Sequence, residues 1–274
     1  MRHISQLAPL LVPLLVDVFN HVETDSVDRD IDCLEFMAGR AEITKASARA
    51  GMRSIGYDKS YSSSSINDIN TKEGFAHAMK LTLRVRRHGA VWMAPVCSTW
   101  IWIARSGSKR SRENACGDPA IHRVRAGNTM VVRLVLLMLV AWCRGAHLFL
   151  ENPTSTVIHF FSPLKEAIAS MLKHRVALFL SSYGASSTKP MTIWSSTPLV
   201  QQLKRPRKAA QEKLSTVKNG AVTGKRSALK ASQAYPPEFG VAVAKIYRTL
   251  RKNASIDDLL EDDGSALLVK ALTG

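Results

Sequence analysis

The sequence predicts an α/β protein built around a doubly wound, mostly parallel sheet. Segments of strand and helix character alternate from residue 31 to about residue 200. The strand-like segments are short apolar runs, which is typical of strands that are buried on both faces. Hydrophobic residues make up 46% of the 274 residues, enough for a sizeable core. Alternation of this kind predicts βαβ units with right-handed crossovers.

Two strand–helix units open the predicted domain. The first strand is "IDCLEF", residues 31–36, and the helix "AEITKASARAG" after it ends at Gly51, which suits the left-handed position that follows a helix. The second strand is "MRSIGYD", residues 52–58. The helix "EGFAHAMKLTLRVRR", residues 73–87, completes the second unit.

The remaining units follow the same order. The strand "AVWMAP" stops at Pro95, which removes a backbone donor from the ladder. A polar, basic loop at residues 106–128 leads to an apolar helix at residues 129–144, which Arg133 interrupts. This interruption favours a buried helix over a membrane span. The strand "AHLFLE", the helix "SPLKEAIASMLK" and the strand "RVALFLSS" continue the alternation.

The chain divides into five parts by composition. Residues 1–29 read as an N-terminal helical extension, because their apolar run is too short to span a bilayer and contains two prolines. Residues 30–200 form the α/β domain. A Lys/Arg-rich segment at 201–232 has few large apolar residues and is interpreted as a basic linker. Residues 233–252 are predicted to form a C-terminal helix that packs on the domain, and residues 253–274 an acidic tail.

The charge balance favours a polyanionic partner. The formal net charge is +16, with 38 basic and 22 acidic residues. We therefore expect a nucleic acid, DNA before RNA, and no membrane partner. The segment "KRPRK", residues 204–208, is a candidate phosphate contact or nuclear import signal, although a solvated linker is an equal alternative. The protein is expected to be a monomer.

The four cysteines give no sign of a metal site. Their positions form no C-x-x-C pair and no cluster with histidines. A reducing compartment with free thiols is the simpler interpretation, and no metal is expected.

Two strand ends have the pattern of a nucleotide-like site. Gly39 follows the first strand and can bring backbone close to a ligand before a helix begins. Asp58 ends the second strand nineteen residues later, a spacing that suits a hydrogen bond to a ribose diol. Asp68 follows in "NDIN". A turn glycine with solvated aspartates is the alternative.

Two further strand ends carry a thiol and a carboxyl group. Cys97 lies just beyond one strand and Glu151 at the end of the next. Neighbouring parallel strands would bring both towards one cleft, where a thiolate can add to an electron-poor ring while a carboxylic acid protonates it. Cys97 could instead be a small buried hydrophobe. Glu151 is harder to explain as structure, because burying a carboxylate without a partner is costly.

Five segments together resemble a known family. "LEFMAGRAEIT", "GYD", "NDI", "APVCST" and "FLENP" occur in the order and spacing of cytosine-C5 DNA methyltransferases, and "KPMTIW" and "AYPPEF" are similar to segments of their shorter relatives. The resemblance covers roughly residues 30–200 and implies a Rossmann-like class I methyltransferase fold with S-adenosyl-L-methionine as cofactor. The cofactor-binding residues that it implies are Phe36, Ala38, Gly39, Asp58, Asp68 and Pro95.

The same resemblance implies a mechanism. Cys97 would attack C6 of a flipped cytosine, and methyl transfer to C5 and elimination would follow. Glu151 would protonate or hydrogen-bond the ring, with Ser98, Asn152 and Pro153 also contacting the substrate. The protein would then act in the nucleus in a eukaryote and in the cytoplasm otherwise.

The sequence departs from the family pattern at three places. Ala41 stands where a second glycine is usual, Val96 replaces the proline before the cysteine, and no clear Gln-x-Arg-x-Arg segment follows Glu151. Two alternatives therefore stand beside C5 methylation. One is a methyltransferase-fold protein that binds nucleic acid without turnover. The other is a methyltransferase for another substrate, although the Asn/Asp-Pro-Pro-Tyr motif of exocyclic-amine enzymes is missing.

Overall fold

The computed structural model of the protein describes residues 28–208, 215–218, 221–224 and 234–254. Its centre is a six-stranded sheet with the strand order β2-β1-β3-β4-β6-β5. The strands are β1 (Ile31–Phe36), β2 (Ser54–Tyr57), β3 (Val85–Met93), β4 (His147–Pro153), β5 (His174–Phe179) and β6 (Pro190–Ser195). A separate two-stranded hairpin consists of β7 (Ser215–Lys218) and β8 (Ala221–Gly224).

The sheet is mixed but mostly parallel. β1 runs parallel to both β2 and β3, and β3 runs parallel to β4. β6 is antiparallel to both of its neighbours, β4 and β5. The expected α/β class with a mostly parallel sheet is therefore confirmed.

Helices cover both faces of the sheet. They are α1 (Glu42–Arg49), α2 (Lys72–Leu83), α3 (Arg105–Ser108), α4 (His122–Cys143), α5 (Ser162–Met171) and α6 (Pro237–Asn253). One core combines buried residues of α2, α4 and α5 with one face of the sheet, and a second core combines α1 and α6 with the other. β3 supplies both cores, because Val91 and Met93 point to the first and Ala90 and Trp92 to the second.

The apolar helix α4 lies in the first core. It is the one helix among the described residues that is long and apolar enough to span a membrane, yet 61% of its apolar window is buried inside the structure. Its buried residues include Leu134, Leu137 and Val140. Its start at His122 is earlier than the predicted residue 129, so the helix includes part of the predicted loop.

The predicted helix at residues 73–87 is too long at its end. α2 ends at Leu83, and β3 already begins at Val85, which is fully buried. The β1–β3 register shifts between Ile31 and Cys33, and His88 has a φ of 60°. Such an irregularity interrupts the alternation of side chains and makes a strand hard to detect from sequence.

β6 was not among the predicted strands. Two of its five buried residues are polar, namely Thr192 and Ser195, and it starts at Pro190. It therefore lacks the continuous apolar run of the parallel strands. The antiparallel pairing with β5 is correspondingly a feature that the sequence analysis did not foresee.

The segment interpreted as a basic linker packs against the domain over its first residues. Leu203 is 1% exposed, and the hydroxyl groups of Ser181 and Ser182 donate to the backbone carbonyls of Lys208 and Pro206 at 2.9 and 2.8 Å. Residues 204–208 are thus held by the fold. Residues 209–214, 219–220 and 225–233 of this segment, most of the N-terminal extension and most of the acidic tail lie outside the described residues.

Candidate active site

The candidate site lies where the strand order changes direction. β2 lies on one side of β1, whereas β3 and β4 lie on the other. Ligands of open α/β sheets bind beyond the carboxyl ends of the strands at such a point. Because β1 to β4 are parallel, their carboxyl ends share one edge of the sheet. All the predicted site residues lie at these strand ends or in the loops that follow.

Three residues in the loop after β1 have the left-handed backbone conformation that glycine adopts most easily. Met37, Gly39 and Ala41 have φ values of 56°, 55° and 56°. A Cβ atom added to Gly39 would meet nothing within 4 Å, so space is open beside this backbone. Ala41 keeps the conformation that a glycine would adopt with less strain, at a cost of roughly 1–2 kcal/mol. Ala41 therefore adds a methyl side chain at this position but keeps a backbone conformation that glycine also adopts.

Asp58 links the loops after β1 and β2. Its Oδ2 accepts a hydrogen bond from the backbone N–H of Gly39 at 2.9 Å. Its Oδ1 accepts from the backbone N–H and the hydroxyl group of Ser60 at 2.9 and 2.6 Å. The carboxylate is half-buried. Asp58 is thus built into the loop pair and is not a merely solvated turn residue.

Three other predicted cofactor residues have defined places. The Phe36 side chain is fully buried and its carbonyl accepts from the N–H of Ala94. Phe36 therefore holds the start of the loop after β1 against the core. Ala38 is buried and its N–H donates to the carbonyl of Tyr57 at 3.2 Å. Asp68 is half-buried, and its Oδ1 accepts from the N–H of Asn70 at 2.9 Å.

Glu35 is a buried carboxyl group that the sequence analysis missed. Its Oε2 accepts from the backbone N–H and hydroxyl group of Thr44 at 2.8 and 2.6 Å, whereas its Oε1 is buried without a hydrogen-bond partner. Burial raises the pKa of Glu35 to about 7, although the bonds from Thr44 oppose this change. The sequence contains a signal for this buried carboxyl group, since Glu35 is an acidic residue in a mainly apolar strand.

Cys97 lies at the rim of the site. It is partly exposed and belongs to neither core. The N–H of Trp100 donates to its carbonyl at 2.8 Å, and Trp100 itself is fully buried, so the loop is anchored directly after the cysteine. Cys97 therefore lies outside both hydrophobic cores of the described residues.

Glu151 and Asn152 end β4 and are both buried. Asn152 donates from Nδ2 to the carbonyl of Pro95 at 2.9 Å, which ties the end of β4 to the loop of Cys97. Oε1 of Glu151 and Oδ1 of Asn152 are buried without a hydrogen-bond partner in the structure. Two unpaired acceptors at one strand end are costly unless a ligand donates to them.

Tyr235 holds the other oxygen of Glu151. Its hydroxyl group donates to Oε2 of Glu151 at 2.7 Å and accepts from Nε1 of Trp92 at 3.2 Å. Lys189 lies over the Tyr235 ring, with Nζ 5.9 Å from the ring centroid, and has a φ of 24°. Lys189 and Tyr235 lie in "KPMTIW" and "AYPPEF", two segments of the family resemblance in which no site residue was predicted.

The charges at the site are coupled. Burial and the neighbouring Glu151 carboxylate raise the pKa of Cys97, whereas the positive charge of Lys189 lowers it. Burial also raises the pKa of Glu151, against the effects of Lys189 and Tyr235. A protonated Glu151 would therefore ease ionisation of the thiol, because the repelling charge is gone. Lys189 is the basic group that acts on Cys97.

Arg110 has a structural place in the following loop. Three basic residues follow Cys97 in the sequence and could favour its thiolate by their charge, namely Arg105, Lys109 and Arg110. Arg110 is instead 2% exposed, and its guanidinium group stacks on Trp100 at 3.3 Å from the ring centroid. It donates to the carbonyls of Cys116 and Val124 and to the side chain of Asn128, among other acceptors.

The remaining predicted substrate residues differ in exposure. Ser98 is exposed beside Cys97, whereas Pro153 is half-buried and its carbonyl accepts from the N–H of Thr156 at 2.9 Å. Pro95 is buried. Within the described ranges, His, Cys, Asp and Glu side chains form no group of three or more that could hold a metal ion.

The comparisons with known proteins add no family. No protein-family model matches the chain, and a search of the curated proteins finds no match.

Proposed function

We propose that the protein is an S-adenosyl-L-methionine-dependent methyltransferase that acts on C5 of cytosine in DNA, with Cys97 as the nucleophile. One observation carries this proposal. A half-buried thiol lies beside a buried carboxyl group and a buried amide, each with an oxygen that has no hydrogen-bond partner. A cytosine ring would supply polar groups for these two oxygens while its C6 faces the thiol.

The sheet supports the same proposal. Its doubly wound order, with one reversed strand inserted between the last two parallel ones, resembles the class I methyltransferase fold. The site residues lie at the switch point that this class of sheet uses for ligands.

The loop after β1 fits the proposed cofactor. Open space beside Gly39 would admit a ligand close to the backbone, and the Asp58 carboxylate lies next to Gly39 with room to accept from a ribose hydroxyl group. S-adenosyl-L-methionine would supply the methyl group. Phe36 and Ala38 would act through the backbone that they position, whereas Asp68 and Pro95 would border the adenine end in keeping with the family resemblance.

Residues at the strand ends would carry out the other steps of the reaction. Cys97 would form a bond to C6 as a thiolate, which Lys189 favours by its charge. Glu151 would be protonated at the moment of attack, because burial raises its pKa, and it would hold this proton at the ring. Asn152 and Tyr235 would fix the cytosine and the Glu151 carboxyl group. Loss of the C5 proton would release the enzyme from C6.

A trapping experiment tests this proposal. DNA that carries 5-fluorocytosine has no C5 proton to lose, so the adduct with the enzyme cannot resolve. Wild-type protein should form a covalent complex in the presence of S-adenosyl-L-methionine that survives denaturing electrophoresis. Cys97→Ser should form none, whereas Cys116→Ser, which changes an exposed cysteine outside the site, should trap like wild type.

Two results would separate the alternatives. Cofactor binding by calorimetry without any adduct would favour a binding protein that keeps the fold without turnover. Absence of cofactor binding, together with unaltered nucleic-acid binding in Cys97→Ser, would reject methyl transfer altogether.

A further inference from the structure

An apolar surface borders the candidate active site. Val96, Trp102 and Ile103 are 50%, 52% and 57% exposed, and we call these three side chains the lip patch. Seven large hydrophobic side chains are exposed among the described residues, and three of them fall within the short stretch 96–103 that contains Cys97. Exposed apolar side chains that are concentrated beside a site indicate a binding surface.

The loop that carries the lip patch is firmly held. Trp100 is fully buried and packs edge-on against Phe161 with ring centroids 5.4 Å apart. Ile101 forms a β-bridge with Thr156, and the N–H of Ala104 donates to the carbonyl of Ile101 at 2.9 Å. The backbone around Trp102 and Ile103 is therefore bonded to neighbouring parts of the fold while their side chains remain exposed.

Basic residues follow the lip patch along the chain. The guanidinium group of Arg105 lies over the ring of Trp102, 5.7 Å from its centroid. Lys109 and Arg112 are exposed in the same loop. Residues 105–125 contain six lysines and arginines, of which Arg110 is buried, against two acidic residues. An aromatic and aliphatic surface with flanking cations is complementary to the faces of nucleobases and to the phosphates between them.

We propose that the lip patch binds single-stranded DNA, with a base stacked on Trp102 and a phosphate beside Arg105. In a duplex the faces of the bases are covered by their neighbours, whereas an unpaired strand presents them to an apolar surface. A single strand also delivers a base to Cys97 without the cost of extrusion from a helix. This inference rests on the proposed function, because it names the state of the DNA on which Cys97 acts.

Equilibrium binding to thymidine oligomers tests the inference without methyl transfer. The ligands are a fluorescent oligodeoxythymidine, its duplex with oligodeoxyadenosine and oligouridine of equal length, without cofactor. Wild type should bind the single-stranded DNA more tightly than the duplex. Trp102→Ala should weaken this binding by about 5- to 150-fold, as expected for loss of one stacked base. Trp102→Phe should retain most of the affinity, because a benzene ring still stacks.

Two controls make the result specific. Trp142→Ala removes another exposed tryptophan, 37% exposed near the end of α4, and should leave binding unchanged. Arg105→Gln should reduce the slope of log affinity against log salt by about 0.7, whereas Trp102→Ala should not change this slope, because it removes no charge.

Three outcomes would overturn the inference. These are equal or tighter binding to the duplex, unchanged affinity in Trp102→Ala, and tighter binding to oligouridine than to the DNA strand. Because the ligands contain no cytosine, these outcomes are independent of adduct formation by Cys97. Failure of the trapping experiment with successful strand binding would remove the methylation proposal and leave the strand-binding surface in place.

Discussion

Glu35 couples the stability of the fold to pH. Its carboxyl group is fully buried at the end of β1 and its pKa is raised from 4.5 to about 7, mainly by burial. The unfolded chain releases this proton near pH 4.5, whereas the folded protein keeps it until about pH 7. A raised carboxyl pKa therefore destabilises the fold as pH rises through this interval.

Glu35→Gln should remove this dependence. The free energy of unfolding of wild type should fall by about 3 kcal/mol between pH 4.5 and 7, relative to the variant, because each pKa unit corresponds to about 1.4 kcal/mol. Glutamine keeps an oxygen that can accept from Thr44 but does not ionise. Urea unfolding of both proteins at about pH 5 and about pH 8 measures the effect. A difference between the two proteins that is the same at both pH values would contradict this assignment.

At the scale of one element, Arg110 organises the loop between β3 and α4. Its donors reach the carbonyls of Ala115 and Cys116 on one side and of Val124 on the other, while its plane stacks on Trp100. Burial lowers its pKa to about 10, so it remains charged at neutral pH. The Arg110 side chain thus links distant parts of a loop that contains no long helix.

Arg110→Met should loosen this loop. Methionine fills part of the space but removes the Arg110 donors to the carbonyls of Ala115, Cys116 and Val124, of which that of Cys116 keeps a hydrogen bond from Asn128. Each buried acceptor that is left unpaired costs about 1–3 kcal/mol. Amide hydrogens of residues 105–121 should exchange markedly faster, whereas those of β1 should keep their protection. Arg112→Met, which changes an exposed arginine of the same loop, is the control and should exchange like wild type. Equal exchange in the two variants would show that Arg110 does not hold the loop.

The same element shows what the sequence could and could not predict. β1, β4 and the second half of β3 were predictable, because buried parallel strands form short and mainly apolar runs. β6 was not predicted because polar residues such as Thr192 occupy some of its buried positions. The burial of Arg110 was not predicted because a basic, glycine-containing loop has the composition of a solvated one. At the site, the order of motifs located Cys97 and Glu151 at adjacent strand ends. Tyr235 could not be placed there, since its contact with Glu151 depends on how distant segments pack.

At the scale of the whole molecule, α6 joins the second core to the candidate site. Phe239 is fully buried and lies 5.7 Å from the Trp92 ring and 5.0 Å from the Tyr235 ring, measured between centroids. It also packs edge-on against Tyr183. Through Phe239, α6 therefore packs against the tyrosine that holds Glu151.

Phe239→Ala should destabilise the protein by about 3–5 kcal/mol, because it leaves a cavity between aromatic side chains that cannot collapse freely. Chemical denaturation followed by far-UV circular dichroism measures this change. Val241→Ala is a matched substitution on the same helix at a side chain that is 44% exposed, and it should cost about 0.5 kcal/mol or less. Similar losses in the two variants would argue against a core role for α6.

The hydrogen bond between Tyr235 and Glu151 also sets an order of events during synthesis. The two residues are separated by 84 positions, so β4 leaves the ribosome well before its partner. At about 5–20 residues per second, translation needs roughly 4–17 s to cover that distance. Throughout this interval the nascent chain contains Glu151 but not yet the Tyr235 hydroxyl group that donates a hydrogen bond to it in the folded protein. The candidate-site end of the sheet is thus among the last parts of the described molecule to be completed, and a chain that stops before residue 235 lacks this hydrogen bond.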